Sequence, residues 1–416
     1  MVWSVRALGE VCSFENGDRG QNYPSRSKFV ETGIPFVNAG HLENGEIQCG
    51  DLNFITRENY NLLSRGKFQT GDFLFCLRGS LGKYAIVNNL SEGAIASSLV
   101  IVRTSAEVDK GYFSLYLQSQ HCQRMINKFA GGAAQPNLCA KDLAKFAIPV
   151  PPLDEQKRIV ALLNQAFADI NQARALTEQN LKNARELFES TLQQVFSQRG
   201  EGWERATLAE LLERGWITSH LDGNHGSDYP RKTEFIDQGI PYISANCLVD
   251  GKIDFNRAKF LSSERAGRLR KGIAQNNDVI FAHNATVGPV AILRTEESKV
   301  ILGTSLTYYR CDPRFVMPEY LCQYMKTGEF ASQYKLVMRQ STRNQVPITK
   351  QREFYHLIPP IDQQSMFAGL LADLSEQIEH LMGVYEMKLF ALEELKRSLL
   401  QKAFSGELTQ GHTEAA

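Results

Sequence analysis

The chain repeats itself. The segment IPFVNAGHLENGEI at 34–47 returns as IPYISANCLVDGKI at 240–253, an offset of 206. The same offset relates Tyr23-Pro24 to Tyr229-Pro230, Phe54 to Phe260, Gly66 to Gly272, Asp72 to Asp278, Phe75 to Phe281 and Gly82 to Gly288. It drifts to 208 where PPLDEQ (151–156) meets PPIDQQ (359–364), and the start repeats too, with Trp3 and Leu8 returning as Trp203 and Leu208. A shared offset held over this span makes each copy a structural unit, and 416 residues suffice for two separate cores.

Each copy ends in a long amphipathic stretch. Over 371–399 apolar residues fall at Leu371, Leu374, Ile378, Leu381, Tyr385, Leu392, Leu395 and Leu399, the alternating three-and-four spacing of a helix that lies along another helix, interrupted at Lys388. Shifting back by 208 gives Leu163, Ala166, Ile170, Ala173, Thr177, Asn180, Ala184, Leu187 and Thr191 in the same register. Ala166, Ala173 and Ala184 match Leu374, Leu381 and Leu392. Small opposite large fills the space between helices better than like against like, so the two stretches are expected to pack on each other, antiparallel, in one molecule. Neither Gly nor Pro interrupts 154–197, and a helix over it would run about 65 Å, the length of a spacer. Asn180 and Lys388 either fix the register of the pair as buried polar seam residues or face water or a partner.

Ahead of each helix the chain reads as mixed, mostly β. Runs such as DFLFCL (72–77), YAIV (84–87) and LVIV (99–102) lie between Gly, Asn and Asp turns. A helical stretch follows near 112–129 and again near 318–338. Two prolines then stop the last strand, and Asp154 or Asp362 favours the new helix N-terminus. The expected fold is therefore α+β. Two mixed, mostly β globular domains are joined by two long antiparallel coiled-coil helices in a pseudo-twofold, circular repeat. The divisions are 1–152, 153–199, 200–360, 361–408 and a flexible tail at 409–416. The exit from the second helix, AFSGELTQG, should arrive beside Trp3 as VFSQRGEGW arrives beside Trp203.

Composition narrows the function without fixing it. Formal charge is zero overall, but residues 1–150 net +2, 201–358 net +3 and the tail from 359 nets −5. A balance so slight permits nucleic acid and does not demand it. The eight cysteines form no CxxC pair, so neither a zinc site nor a disulfide framework is indicated, and a reduced, cytoplasmic protein is expected. No apolar leader or membrane-length run is present. There is no GxGxxG opening a helix, and Gly79-Ser80-Leu81-Gly82-Lys83 lacks phosphate-loop spacing. Glu155-Gln156-Lys157 could be the tail of a nuclease motif, but its copy is Gln363-Gln364-Ser365. The chain is expected to bind and position, with no catalytic residue, metal or cofactor of its own.

Taken in order and in two copies, the IPFVNAGHL segment, GDFLFCLRGSLGK (71–83), the PPLDEQ and PPIDQQ helix entries and the terminal LLQKAFSGEL (399–408) resemble the specificity subunits of type I restriction-modification enzymes. The resemblance implies a non-catalytic subunit. Each of its two target-recognition domains would read one half of a split, asymmetric site in double-stranded DNA, with the coiled coil setting the unread gap. It further implies two methyltransferase (modification) subunits docked on the helical region and restriction/translocase subunits completing the assembly, with S-adenosylmethionine and ATP belonging to those partners.

The residues expected to touch DNA lie on polar loops. In the first copy these are Arg19, Gln21, Asn22, Arg26 and Lys28, then Arg78, Ser80 and Lys83. In the second they are His225, Arg231 and Lys232, then His283 and Asn284, and a further loop with Arg339, Arg343 and Asn344. Tyr23 and Tyr229 could equally pack beneath their loops. The run Arg257, Lys259, Arg265, Arg268, Arg270, Lys271 either follows a phosphate backbone or is a solvated face. A scaffold that binds only proteins, without sequence-specific DNA binding, is the competing reading.

Overall fold

The computed structural model describes residues 3–131, 137–197, 199–249, 251–340 and 344–409. The chain divides into two compact units, one from residues 1–178 with 387–416, the other from 179–386. Two 45-residue helices, α1 (Leu153–Ser197) and α2 (Ile361–Ser405), each contribute to both units.

In the first unit a five-stranded sheet runs Phe29–Val30, Asn53–Ile55, Ile34–Val37, Glu92–Ile95, Lys67–Gln69. Its one parallel pair sets Ala94 opposite Phe36. A four-stranded antiparallel sheet runs Tyr84–Ile86, Phe73–Cys76, Leu99–Thr104, Cys12–Asn16. The second unit repeats this strand for strand. Phe235–Ile236, Lys259–Leu261, Ile240–Ile243, Val300–Leu302 and Ile273–Ala274 make the mixed sheet. Ile217–Asp222, Leu306–Cys311, Val279–Asn284 and Thr286–Ile292 make the antiparallel one. The strands expected from the apolar runs near 72–77, 84–87 and 99–102 are present. Their central residues Phe73, Leu74, Phe75, Cys76, Val100 and Ile101 are fully buried, because sheet faces covered on both sides need continuous apolar runs.

Each single helical stretch expected after the sheets is two helices. Lys110–Gln118 ends and Gln120–Phe129 begins at Ser119, whose extended backbone and side chain cap the second helix through the Cys122 N–H. Thr327 does the same between Pro318–Tyr324 and Gly328–Arg339. A hydroxyl residue that can cap is also one that breaks a continuous helix.

The chain crosses over at its helix ends. In the first unit Phe404, from the end of α2, packs on Tyr112 and Tyr116 at ring distances of 5.1 and 5.8 Å, and Gly406 lies against the Trp3 ring. In the second Phe196, from the end of α1, packs on Tyr320 and Tyr324 at 5.5 and 5.7 Å, and Gly200 sits beside Trp203. Each helix therefore closes the core of the domain that did not precede it, as the matching exits predict. Within the first unit the helices are antiparallel: Lys396 lies over the Phe167 ring at 5.1 Å, and a groove of about 180 Å³ is lined by Ile170, Arg174, Leu389 and Glu393.

The seam differs from the strict heptad. Leu163, Ile170, Leu371 and Ile378 are buried, and Ala166, Ala173, Leu374 and Leu392 are half-buried. Leu187, Leu381 and Leu395 are exposed, at 55%, 37% and 47%. Phe188, Met382 and Lys396 take the inward places. A helix near 3.6 residues per turn drifts against a 3.5 repeat, so a stripe counted in sevens slips by one position along so long a rod. Asn180 and Lys388 are exposed, so neither is a buried register pin; the buried polar seam residue is Thr177, whose hydroxyl donates to the Ala173 carbonyl at 2.7 Å. The helix entries are tied by glutamine. Buried Gln156 accepts the Asp109 N–H and donates to the Glu107 and Pro151 carbonyls.

Candidate nucleic-acid interface

Two loops are locked together at the same edge of each domain. In the first unit the Asp18 carboxylate accepts the Gly20 and Ser64 N–H groups at 2.7 and 2.8 Å and the Ser64 hydroxyl at 3.0 Å; these bonds hold it below the usual carboxylate range. Behind it Gly66, at φ 78°, approaches so closely that a Cβ there would sit 2.8 Å from the Gly17 Cα. The second unit keeps the device with different atoms. Asn224 donates to the Lys271 carbonyl at 2.6 Å and accepts the Lys271 N–H at 3.2 Å, and a Cβ on Gly272 would lie 2.7 Å from the Gly223 Cα. A third segment joins them. Arg78 bridges Asn137 and the Leu138 N–H donates to the Leu77 carbonyl, while in the second unit Asn284 bridges Gln345.

What the loops present differs between the units. In the first, Arg19, Arg65, Arg78 and Lys141, all exposed, line a cleft of about 300 Å³ floored by buried Leu77 and Leu138. Arg19 is steadied by a bond to the Ser97 carbonyl at 3.1 Å. Nearby carboxylates are already engaged: Glu15 with Arg103 at 2.7 Å, Asp142 with Lys145 at 2.9 Å, and Asp18 as above. Among the described residues none of the four cations forms an ion pair. At the matching positions the second unit has His225, Lys271, Asn284 and Thr349, with Asp222 where the first has Asn16. His225 bonds Asp222 at 2.7 Å.

The other residues singled out from sequence fall as follows. Gln21, Asn22, Arg26, Lys28, Ser80 and Lys83 are exposed in the first unit, as are Arg231, Lys232, Arg339 and Asn344 in the second. Asn22 spends its amide on the Leu62 carbonyl at 3.0 Å, and Asn344 spends its own on Ala285 at 2.6 Å, tying that loop to the Asn284–Thr286 turn. Asn284 is half-buried, and Arg343 lies outside the described residues. His283 is a correction: it is 1% exposed, under the loop, with Nδ1 bonded to the Val346 carbonyl at 2.9 Å. The strand pattern that carries Leu77 inward in the first unit carries His283 inward here. Tyr23 packs edge-on against Phe36 at 5.8 Å, whereas Tyr229 is 46% exposed. Half of the charge run is held by nearby carboxylates, Arg257 by Asp254, Arg265 by Glu234 and Arg268 by Glu264. Sequence reading missed Arg65 and Lys141. Arg65 had a signal, since a cation precedes the repeated glycine in both copies; Lys141 reaches the cleft only through the fold.

Residues 2–179 match the family described as "Type I restriction modification DNA specificity domain". The whole chain aligns with the type I restriction enzyme EcoKI specificity subunit of Escherichia coli K12, 20% identical over 424 residues, covering 98% of this chain and 89% of that one. The chain is similar to the type I specificity subunits. The MjaIX specificity subunit of Methanocaldococcus jannaschii is 21% identical over 430 residues, with 98% and 93% covered. The fold agrees. A chain solved in work on complex assembly and conformational transition of the type I R-M system superposes with a TM-score of 0.78 at 19% identity, over 98% of both chains. The HsdS subunit from Thermoanaerobacter tengcongensis does so at 0.60 and 19% identity, over 98% of this chain and 97% of that one. The specificity-subunit likeness and the α+β fold expected from the repeated segments are thereby found. No described helix is long and apolar enough to cross a membrane.

Proposed function

We propose that this chain is the non-catalytic reader of a type I restriction-modification complex, and that each of its two recognition domains reads one half of a bipartite, asymmetric site in double-stranded DNA. The observation that carries the reading is a scaffold built twice with unlike loops. Asp18 and Asn224 fasten the same two loops by different bonds, while Arg19, Arg65 and Arg78 are replaced in the second copy by His225, Lys271 and Asn284. Different side chains on one frame suit two different short sequences. Gln21, Arg26, Arg231 and Arg339 are exposed groups suited to base edges; Lys28, Ser80, Lys83 and Lys232 suit phosphates.

The uninterrupted helices α1 and α2 suit a ruler that sets the unread gap, since B-DNA repeats its groove faces about every 10 base pairs. Apolar residues left exposed on α2, Met387 at 66% and Phe390 at 70%, suit docking of two methyltransferase subunits, with restriction/translocase subunits beyond them. Methyl transfer and ATP-dependent cleavage belong to those partners. The test is selection of duplexes from a randomised library by the assembled complex. Two short conserved blocks separated by a fixed unread spacer are expected; one continuous block, or no enrichment, contradicts the reading and favours a protein-only scaffold.

A further inference from the structure

We propose that the cleft lined by Arg19, Arg65, Arg78 and Lys141 is a site for a DNA backbone phosphodiester, and that among the described residues the second domain has no equivalent, so the first domain is the electrostatic anchor of the complex on DNA. The proposal rests on the DNA-reading function above and assigns roles within it. Four cations lining one cleft of about 300 Å³ repel one another, and the neighbouring carboxylates Glu15, Asp18 and Asp142 are already spent on Arg103, Ser64 and Lys145. An anion relieves that repulsion best. A base edge offers a guanine or adenine pair of atoms to one planar fork and leaves the other cations unanswered, whereas a phosphate is approached from several sides at once. The floor, Leu77 and Leu138, offers no side-chain donor or acceptor to read a base with. Arg19 and Arg78, whose guanidinium groups would also suit a base edge, are thereby assigned to the backbone.

The second domain keeps the frame and drops the charge. Its matching set is His225, Lys271, Asn284 and Thr349, and Asp222 both adds a carboxylate and engages His225 at 2.7 Å. Where the first domain has four permanent cations at these positions, the second keeps one, Lys271, and adds the Asp222 carboxylate.

The test measures duplex affinity against salt for the full-length chain co-purified with its methyltransferase subunits, using fluorescence anisotropy. Three proteins are compared on specific and on unrelated duplex: wild type, Arg65→Gln/Lys141→Gln, and Lys271→Gln/Thr349→Ala. Each lost phosphate contact flattens the dependence of log Kd on log salt by roughly 0.9. The first double variant should lower the slope by about 2, on both duplexes alike, and the second by about 1 or less. Thermal unfolding of both variants should match wild type, since these side chains are exposed. An unchanged slope in the first variant, an equal drop in both, or a loss confined to the specific duplex overturns the phosphate assignment while leaving DNA reading intact. Wild-type protein that shows no salt-dependent duplex binding overturns both.

Discussion

The side-chain oxygen of Gln156 accepts the backbone N–H of Asp109 at 2.8 Å, and Gln364 does the same for Met317 at the same distance. Each amide also donates to two carbonyls, Glu107 and Pro151 in one case, Phe315 and Pro359 in the other, and neither residue is accessible to solvent. One glutamine thus fastens a 45-residue helix to the domain before it. Gln156→Leu leaves a buried N–H and two carbonyls without partners and should cost roughly 2–4 kcal/mol, with Gln364→Leu alike. Chemical denaturation followed by segment-resolved hydrogen exchange checks this. Gln156→Leu should lower protection in 3–150 and Gln364→Leu in 204–358; no loss in either would remove the clasp.

The second domain should be the acid-sensitive one. His220, His283 and His356 are buried within it, and His220 shares the Gln351 side-chain oxygen, at 3.1 Å, with Thr307 and Tyr309. Burial pushes His220 down to about 4 and His356 to about 3, and lowers His283 as well. A histidine lowered in the folded state binds protons more readily when unfolded. Its stability contribution is intact above about pH 6.5, falls as pH drops toward the folded value and then levels off. His220 alone is worth on the order of 3 kcal/mol across that window. The first domain has Phe14, Leu77 and Ile148 at these positions, although His41 and His121, both lowered by burial, give it a weaker dependence. Between pH 7.5 and 5, hydrogen exchange should rise first in 204–358. His220→Phe should flatten the dependence, and equal loss in both domains would contradict the assignment.

The helix ends give a test of the crossed connection. Phe404→Ala should destabilise the first unit by about 3–5 kcal/mol, although it lies nearly three hundred residues from its ring partner Tyr112, while Phe196→Ala should act on the second unit through Tyr320. Exchange protection read separately over Lys110–Gln118 and Pro318–Tyr324 distinguishes the two. Loss in the unit that precedes each helix instead would show the closure to be wrongly drawn.

The frame was legible from sequence because duplication writes the same constraint twice. Gly66 and Gly272, or Trp3 and Trp203, need no alignment to be noticed. The domain's paired strands followed from continuous apolar runs. What escaped was anything set by a slip of one residue or by distant chain. Leu187, Leu381 and Leu395 fit a count in sevens but face solvent, because drift over a long helix is invisible to a fixed repeat. His283 looked like a loop residue until the strand was seen to run on through Asn284 and turn it inward. Lys141 joins Arg19 only through folding across more than a hundred residues.

If α1 and α2 act as a ruler, inserting four residues at equivalent points in both lengthens each by about 6 Å. The unread gap should widen while both half-sites persist. Altered half-sites with an unchanged gap would dispose of the ruler.

That one chain holds two independent readers is tested by co-expressing it with its methyltransferase subunit in an unmethylated host and mapping methylated bases across the genome. One motif of two unlike blocks at a single fixed spacing is the predicted result. A continuous motif, or no methylation that depends on this chain, would contradict it.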